Sequence, residues 1–220
     1  MVISPILRGM FGLHTDMAKH QVSFEPHVPA NWTSFAIRNV QVGSVGVDFQ
    51  YRKTIDSLTL ETKRTGSGEC WVEFSPALSL RTKIVSAELD GKPILFKLQP
   101  NNNDQHLYIR FQTSRGESNL LVRVKDDFGL VLDNELPALG SASHGLRVIA
   151  EKWNSTRTEL SVDVSGIAES VYELDVWNPG QITSVDGATL NKAGKLQVQM
   201  SRGSTESYVT QKVVMHFARQ

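Results

Sequence analysis

The chain has 220 residues, and its 23 Lys+Arg balance 23 Asp+Glu for a formal net charge of zero. Hydrophobic residues make up 40% and charged residues 21%, which excludes a disordered tail, because such tails combine low hydrophobicity with high net charge. The balance also argues against a nucleic-acid binder that relies on a basic surface, and the length allows one large domain or two small ones.

The N-terminus differs from the rest of the chain. Ser4 and Pro5 read as an N-cap and a first helical residue. Ile6, Leu7, Met10 and Phe11 follow at helical spacing, and Gly12 is a stop signal. A helix of two turns is not stable alone, so it must pack on something. This opening is not a signal peptide, since it lacks a basic start and Pro5, Arg8 and Gly9 break the apolar run. No window approaches the roughly 18 apolar residues of a membrane span. The compartment stays open: a lone Cys70 forms no internal disulfide, a pattern shared by reducing compartments and many bacterial secreted or periplasmic proteins. Pro26 and Pro29 then mark an extended connector, so residues 1–35 read as a helical stub and connector.

From residue 36 the dominant period is two. Ala36-Ile37-Arg38-Asn39-Val40-Gln41-Val42 alternates apolar with polar, as do Val45 to Tyr51 and Leu58 to Arg64. Such alternation puts one face of a strand in a core and the other in water. Further strands are predicted at 71–74, 84–89, 94–98, 106–111 and 119–124. Gly66-Ser67-Gly68, Asp90-Gly91, Asn101-Asn102-Asn103 and Ser114-Arg115-Gly116 separate them as turns, with Asp90-Gly91 a two-residue hairpin signal. Gly43-Ser44-Val45-Gly46 lacks the lysine of a phosphate loop and reads as a bend or hairpin turn. No long amphipathic helix appears, which argues against a βαβ fold.

The second half repeats this order. The alternation at 147–153 parallels Val45 to Tyr51, and 158–164 parallels Leu58 to Arg64. Tyr172-Glu173-Leu174-Asp175-Val176-Trp177-Asn178-Pro179 parallels Cys70-Trp71-Val72-Glu73-Phe74-Ser75-Pro76, and 182–187 parallels 84–91. The offset of roughly 90–100 residues suits a small sandwich of about seven strands. The predicted fold is all-β: two tandem antiparallel β-sandwich units, 36–126 and 144–220, joined by a linker at 127–143 and preceded by a short N-terminal helix.

Residues able to carry chemistry are few. There is no HExxH or Cys/His metal pattern and no G-x-S-x-G elbow. His14, His20 and His27 lie too irregularly for one helix face and read as surface histidines, and Ser143-His144-Gly145 lies in the linker. Glu25, Asp48, Asp126, Asp127, Asp133 and Glu135 are carboxylates of solvated positions, with Asp126-Asp127 and Asn134-Glu135 an oxygen-rich stretch of the kind that can take calcium. Two glycosylation triplets occur, Asn31-Trp32-Thr33 and Asn154-Ser155-Thr156. Sugar rings stack on exposed indoles, which makes Trp32, Trp153 and Trp177, each at a turn or strand end, candidate carbohydrate contacts; core packing is the simpler role for each. Trp71, alternating with Glu73, reads as core. No catalytic residue, metal or cofactor is assigned.

Ile3-Ser4-Pro5-Ile6-Leu7-Arg8-Gly9-Met10-Phe11-Gly12-Leu13 resembles the last helix of the (α/α) six-hairpin barrel in bacterial glycoside hydrolases, most of all the glycogen-debranching, amylo-α-1,6-glucosidase-like group. Phe24-Glu25-Pro26-His27-Val28-Pro29-Ala30-Asn31-Trp32 resembles the exit from such barrels, and Phe35 to Gly43 with Val47 to Tyr51 resembles the first strands of the β-domain behind them. The resemblance covers about residues 3–62. It implies a non-catalytic C-terminal accessory domain whose parent is a glycoside hydrolase, with Ile6, Leu7, Met10 and Phe11 packing on the barrel. The family's acid and base lie upstream of this region, so no catalytic role transfers. The implied partner is the barrel of the parent chain, with a homodimer through the N-terminal stub when the barrel is absent and neither nucleic acid nor membrane involved. The alternatives are a carbohydrate-binding module for α-glucan or another carbohydrate, and a structural module of the immunoglobulin-like kind.

Overall fold

The structure is a computed structural model, and it describes residues 5–113, 116–132, 137–204 and 207–219. The fold is all-β, and the chain divides into two compact units, Met1–Asp127 and Phe128–Gln220.

The first unit begins with a single wide turn, Ile6–Met10, closed when the Phe11 N–H donates to the Ile6 carbonyl at 3.0 Å. This replaces the expected two-turn helix; its expected cap, Ser4, lies outside the described residues. Gly12 then takes φ +53°, where a Cβ would sit 2.6 Å from the Glu25 carbonyl oxygen, so the position requires glycine. Strands β1 (Leu13–Asp16) and β2 (Gln21–Phe24) follow as an antiparallel hairpin. Residues 1–35 are therefore not merely a helical stub and connector, because they supply two strands to the first sandwich. Val22 and Phe24 are buried between outward Gln21 and Ser23, but four residues are too few for a period of two to stand out.

The unit continues with β3 (Ser34–Val42), β4 (Val45–Lys53), β5 (Ser57–Gly66), β6 (Trp71–Phe74), β7 (Ala77–Ser79) and β8 (Lys83–Leu89). Then come β9 (Lys92–Pro93), β10 (Lys97–Asn101), β11 (Asp104–Gln112) and β12 (Glu117–Lys125). One sheet has the order β1-β2-β6-β11-β10, with β7 also on β11, and the other β3-β4-β5-β12-β8-β9. The sheets are not purely antiparallel, because β2 pairs with β6 in parallel. No hairpin joins that pair: the chain crosses to the other sheet for β3 to β5 before returning, which permits either direction. The strand predicted at 94–98 is displaced to 97–101, leaving Leu95 and Phe96 exposed between β9 and β10. Asp90 and Gly91 both have positive φ, as a tight two-residue hairpin turn demands.

The two sheets enclose one core. Phe24 is fully buried at its centre, with ring centroids 5.2 Å from Phe49, 5.6 Å from Phe74 and 6.2 Å from Phe35. Phe35 stacks on Tyr51 at 4.7 Å, and Phe11 packs on Phe35 at 4.8 Å. Burial and the nearby Asp127 carboxylate hold the Tyr51 phenol well above its ordinary pKa, so it stays neutral. Asp127 closes the unit from inside: it receives Lys53 Nζ at 2.7 Å and the Thr82 hydroxyl at 2.8 Å. It is thereby committed to a buried ion pair rather than to a calcium loop, and Asp133, Asn134 and Glu135 lie outside the described residues.

The second unit contains β13 (Gly129–Val131), β14 (Arg147–Trp153), β15 (Glu159–Ile167), β16 (Val171–Trp177), β17 (Ile182–Asp186), β18 (Thr189–Leu190), β19 (Lys195–Gln199) and β20 (Tyr208–Phe217). Its sheets run β13-β16-β19-β18 and β14-β15-β20-β17, around a core that includes Leu160, Val162, Leu174, Leu196 and Met215. Residues 127–143 are not wholly a linker: Asp127 belongs to the first unit, and β13 pairs with β16 in the second. The order β4-β5-β12-β8 in the first unit has its counterpart in β14-β15-β20-β17, and β6-β11-β10 in β16-β19-β18.

Two substitutions test this packing. Phe24→Ala should lower stability by about 3–5 kcal/mol in urea titration, the usual cost of emptying a large aromatic site; a loss below about 1 kcal/mol would show that Phe24 is not the centre of the core. Burial raises the Glu151 carboxyl above its ordinary pKa of 4.5, so its ionised form opposes folding at neutral pH. The penalty is complete above the folded pKa and vanishes below the unfolded one. Glu151→Gln should therefore raise the melting temperature at pH 7, by a margin that shrinks as the pH falls towards 4.5; an unchanged or lower melting temperature at pH 7 would contradict this.

Candidate functional site

The most chemically distinctive cluster forms where the start of β11 meets the segment after β2. Asp104 and His106 are two residues apart on β11, so their side chains leave the same face of the strand. Leu107, Ile109 and Phe111 take the opposite face into the core. Asp104 stands at the hairpin end, paired with Asn101, and Asn102 adopts the positive φ of the turn. His106 lies between Gln99 of β10 and Ala77 of β7 and is 6% exposed.

His27 arrives from the other side. Phe24 anchors the end of β2, and three backbone bonds carry the chain onward. The Ser75 N–H donates to the Phe24 carbonyl at 2.9 Å, the Ala77 N–H to the Pro26 carbonyl at 3.1 Å, and the His27 N–H to the Met10 carbonyl at 2.8 Å. The His27 and His106 rings then stand 4.7 Å apart.

The remote nitrogen of each ring has hydrogen-bond partners of its own. His27 Nδ1 lies 3.3 Å from the Glu25 carbonyl oxygen and His106 Nδ1 lies 3.3 Å from the Ser75 carbonyl oxygen. A carbonyl only accepts, so His27 Nδ1 carries the proton and donates; His106 Nδ1 also lies 3.3 Å from the Ser75 hydroxyl, which can donate as well as accept, so its tautomer depends on which Ser75 oxygen it bonds. Each Nε2 faces Asp104: Oδ2 is 3.5 Å from His27 Nε2, and Oδ1 is 3.8 Å from His106 Nε2. These separations exceed the 2.7–2.9 Å of a charge-assisted hydrogen bond. His106 Nε2 and Asp104 Oδ1 are buried with no hydrogen-bond partner. Buried polar atoms are usually paired, because leaving one unmatched costs free energy. Three potential ligand atoms thus lie within 4.8 Å of one another.

Of the three histidines noted by spacing, only His27 enters this cluster; His14 and His20 are exposed on the β1–β2 hairpin region. Ser143 and His144 serve as backbone anchors, since their carbonyls accept from the Tyr208 and Tyr172 hydroxyls, each at 2.8 Å. Asp48 accepts from the Asn39 N–H at 2.7 Å, which holds a bulge in β3. Cys70 is buried, and desolvation pushes its thiol up, away from reactivity.

The indoles fall in different settings. Trp32 is 41% exposed on a turn and lies 6.4 Å from Phe11. Trp153 is half-buried against Phe217 and Phe128, at 5.1 and 6.1 Å. Trp177 is half-buried at the end of β16, on the other sheet of the second unit. Trp71 is not core: Val72 and Phe74 take the inward positions of β6, and the Arg110 guanidinium lies over the outward indole at 4.1 Å. A groove of about 510 Å³ beside it is lined by Leu95, Phe96, Tyr108 and Arg110. On the other sheet, a groove of about 360 Å³ is lined by mixed charges, among them Arg38, Asp48, Glu61 and Lys63. Among the residues of the N-terminal turn, Ile6 is 40% exposed, Leu7 and Met10 are half-buried, and Phe11 is buried in its own sandwich.

No protein family matches the chain, and no curated protein matches it. Among solved structures, it is similar to a GH127 beta-L-arabinofuranosidase from Geobacillus stearothermophilus T6, at 10% identity and a TM-score of 0.34. That match covers 97% of this chain and 33% of the arabinofuranosidase, so the chain spans about a third of that enzyme's length.

Proposed function

We propose that the chain is a non-catalytic accessory region of a glycoside hydrolase, which packs against a catalytic barrel and stabilises it. The observation that carries this reading is the N-terminal turn. Phe11 roots it in the sandwich core, while Ile6 stays 40% exposed and Leu7 and Met10 stay half-buried. Although Leu7 also packs on the chain's own core, the apolar surface left at this turn is suited to packing on another body, at about 1.5–3 kcal/mol for each large side chain fully buried. The resemblance of residues 3–62 to the last helix, the exit and the first β-domain strands of six-hairpin enzymes supports an (α/α) barrel of the glycogen-debranching, amylo-α-1,6-glucosidase-like kind as that body. The corresponding strand orders of the two units accord with a duplicated sandwich.

An antibody raised against the chain tests this in the source cell. It should detect a polypeptide far heavier than 24.4 kDa and co-precipitate glycosidase activity. A band at 24.4 kDa alone, without that activity, would overturn the reading.

A second reading, a carbohydrate-binding module, is favoured by the exposure of Trp32 and by the aromatic groove of Phe96 and Tyr108. Sugar rings stack on such faces. Tryptophan emission titrated with maltooligosaccharides separates the two. A shift that disappears in Trp32→Ala supports sugar binding, and an unchanged spectrum sinks it.

A further inference from the structure

We propose that His27, Asp104 and His106 bind one divalent transition-metal ion of the zinc class, clamping the segment after β2 to the start of β11. This is independent of the accessory role, and either can fail without the other. Several observations converge on it.

Two imidazoles and one carboxylate suit zinc and its neighbours, and hard ions such as calcium prefer all-oxygen sites. The His27 ring has the tautomer that ligation through Nε2 requires, fixed by the Glu25 carbonyl, and His106 takes the same one when its Nδ1 donates to the Ser75 carbonyl. That is the usual outer-shell device for orienting a metal-bound histidine.

The distances also come close. Around a tetrahedral ion with bonds of about 2.0–2.2 Å, neighbouring ligand atoms stand roughly 3.3–3.5 Å apart. His27 Nε2 lies 3.5 Å from Asp104 Oδ2 and His106 Nε2 3.8 Å from Asp104 Oδ1, and with one ligand atom from each residue all three lie within 4.8 Å of one another, so the set must draw inward to reach tetrahedral spacing. The burial of His106 Nε2 and Asp104 Oδ1 without hydrogen-bond partners gives both atoms an unmet need that a cation satisfies. A simple ion pair between Asp104 and a protonated histidine would be expected to close to hydrogen-bond distance.

Access is open on one side. The side chains of His27 and Asp104 are 44% and 30% exposed, while His106 is nearly covered. An ion can therefore enter from solvent and complete its coordination with water.

The test uses the purified chain without an affinity tag, with Zn²⁺ in calorimetric titration and Co²⁺ as a spectroscopic probe. We expect one ion per chain, visible cobalt bands of a nitrogen and oxygen site, and a higher melting temperature with zinc. His27→Ala removes a half-exposed ligand, and Asp104→Asn keeps the shape while removing the charge. With folding confirmed by circular dichroism, each should weaken binding at least about 10-fold, the minimum lost when even an outer-shell partner is removed, and should abolish the zinc-induced rise in melting temperature. Absence of stoichiometric binding in the unaltered chain, or binding that persists undiminished in both variants, would overturn the proposal.

Discussion

Burial of Phe24 is the contact on which the organisation of the first sandwich depends. The ring touches Phe35 and Phe49 of one sheet and Phe74 of the other, so a short N-terminal strand joins both layers of the core. Hydrophobic burial has no direction of its own, but the backbone attached to it does. Once Phe24 is seated, β2 is fixed beside β6 in parallel register, and its carbonyl and that of Pro26 continue the pairing past the strand end. His27 is thereby delivered to His106 and Asp104. The same anchoring holds Phe11 against Phe35 and leaves Ile6 at the surface. Packing, candidate site and apolar ridge all depend on one buried ring.

The long strands were legible where their alternation runs over seven residues, as in β4, β5 and β15. The Asp90-Gly91 turn was legible because its positive φ values select those residues. Of the strands of four residues or fewer, β6 was legible at 71–74 and the others were not. β1, β2, β7, β13 and β18 have two to four residues each, which is too short for a reliable pattern to emerge. Trp71 was assigned to the core from its alternation with Glu73, whereas the parity of β6 gives that place to Val72 and Phe74. Arg110 makes the outward position tolerable by covering the indole.

The metal-binding cluster could not be read from spacing at all. His27 and His106 lie on segments brought together by the parallel β2–β6 pair and the β6–β11 register, and neither pairing has a local signal. The Asp104-Gln105-His106 alternation at a strand start was the one available hint. Its meaning depended on knowing that His106 faces away from the core. The Asp126-Asp127 pair shows the opposite case, in which an oxygen-rich stretch suggested an ion and Asp127 proves to be paired with Lys53 inside the sandwich.

If Phe24 and the bonds after it bring the two histidines and Asp104 into one ligand set, anomalous diffraction from crystals of the chain soaked in zinc should reveal it. A single strong peak is expected about 2.0–2.2 Å from His27 Nε2, His106 Nε2 and an Asp104 oxygen. A map with no peak there, or with the two imidazoles turned away from each other, would contradict it.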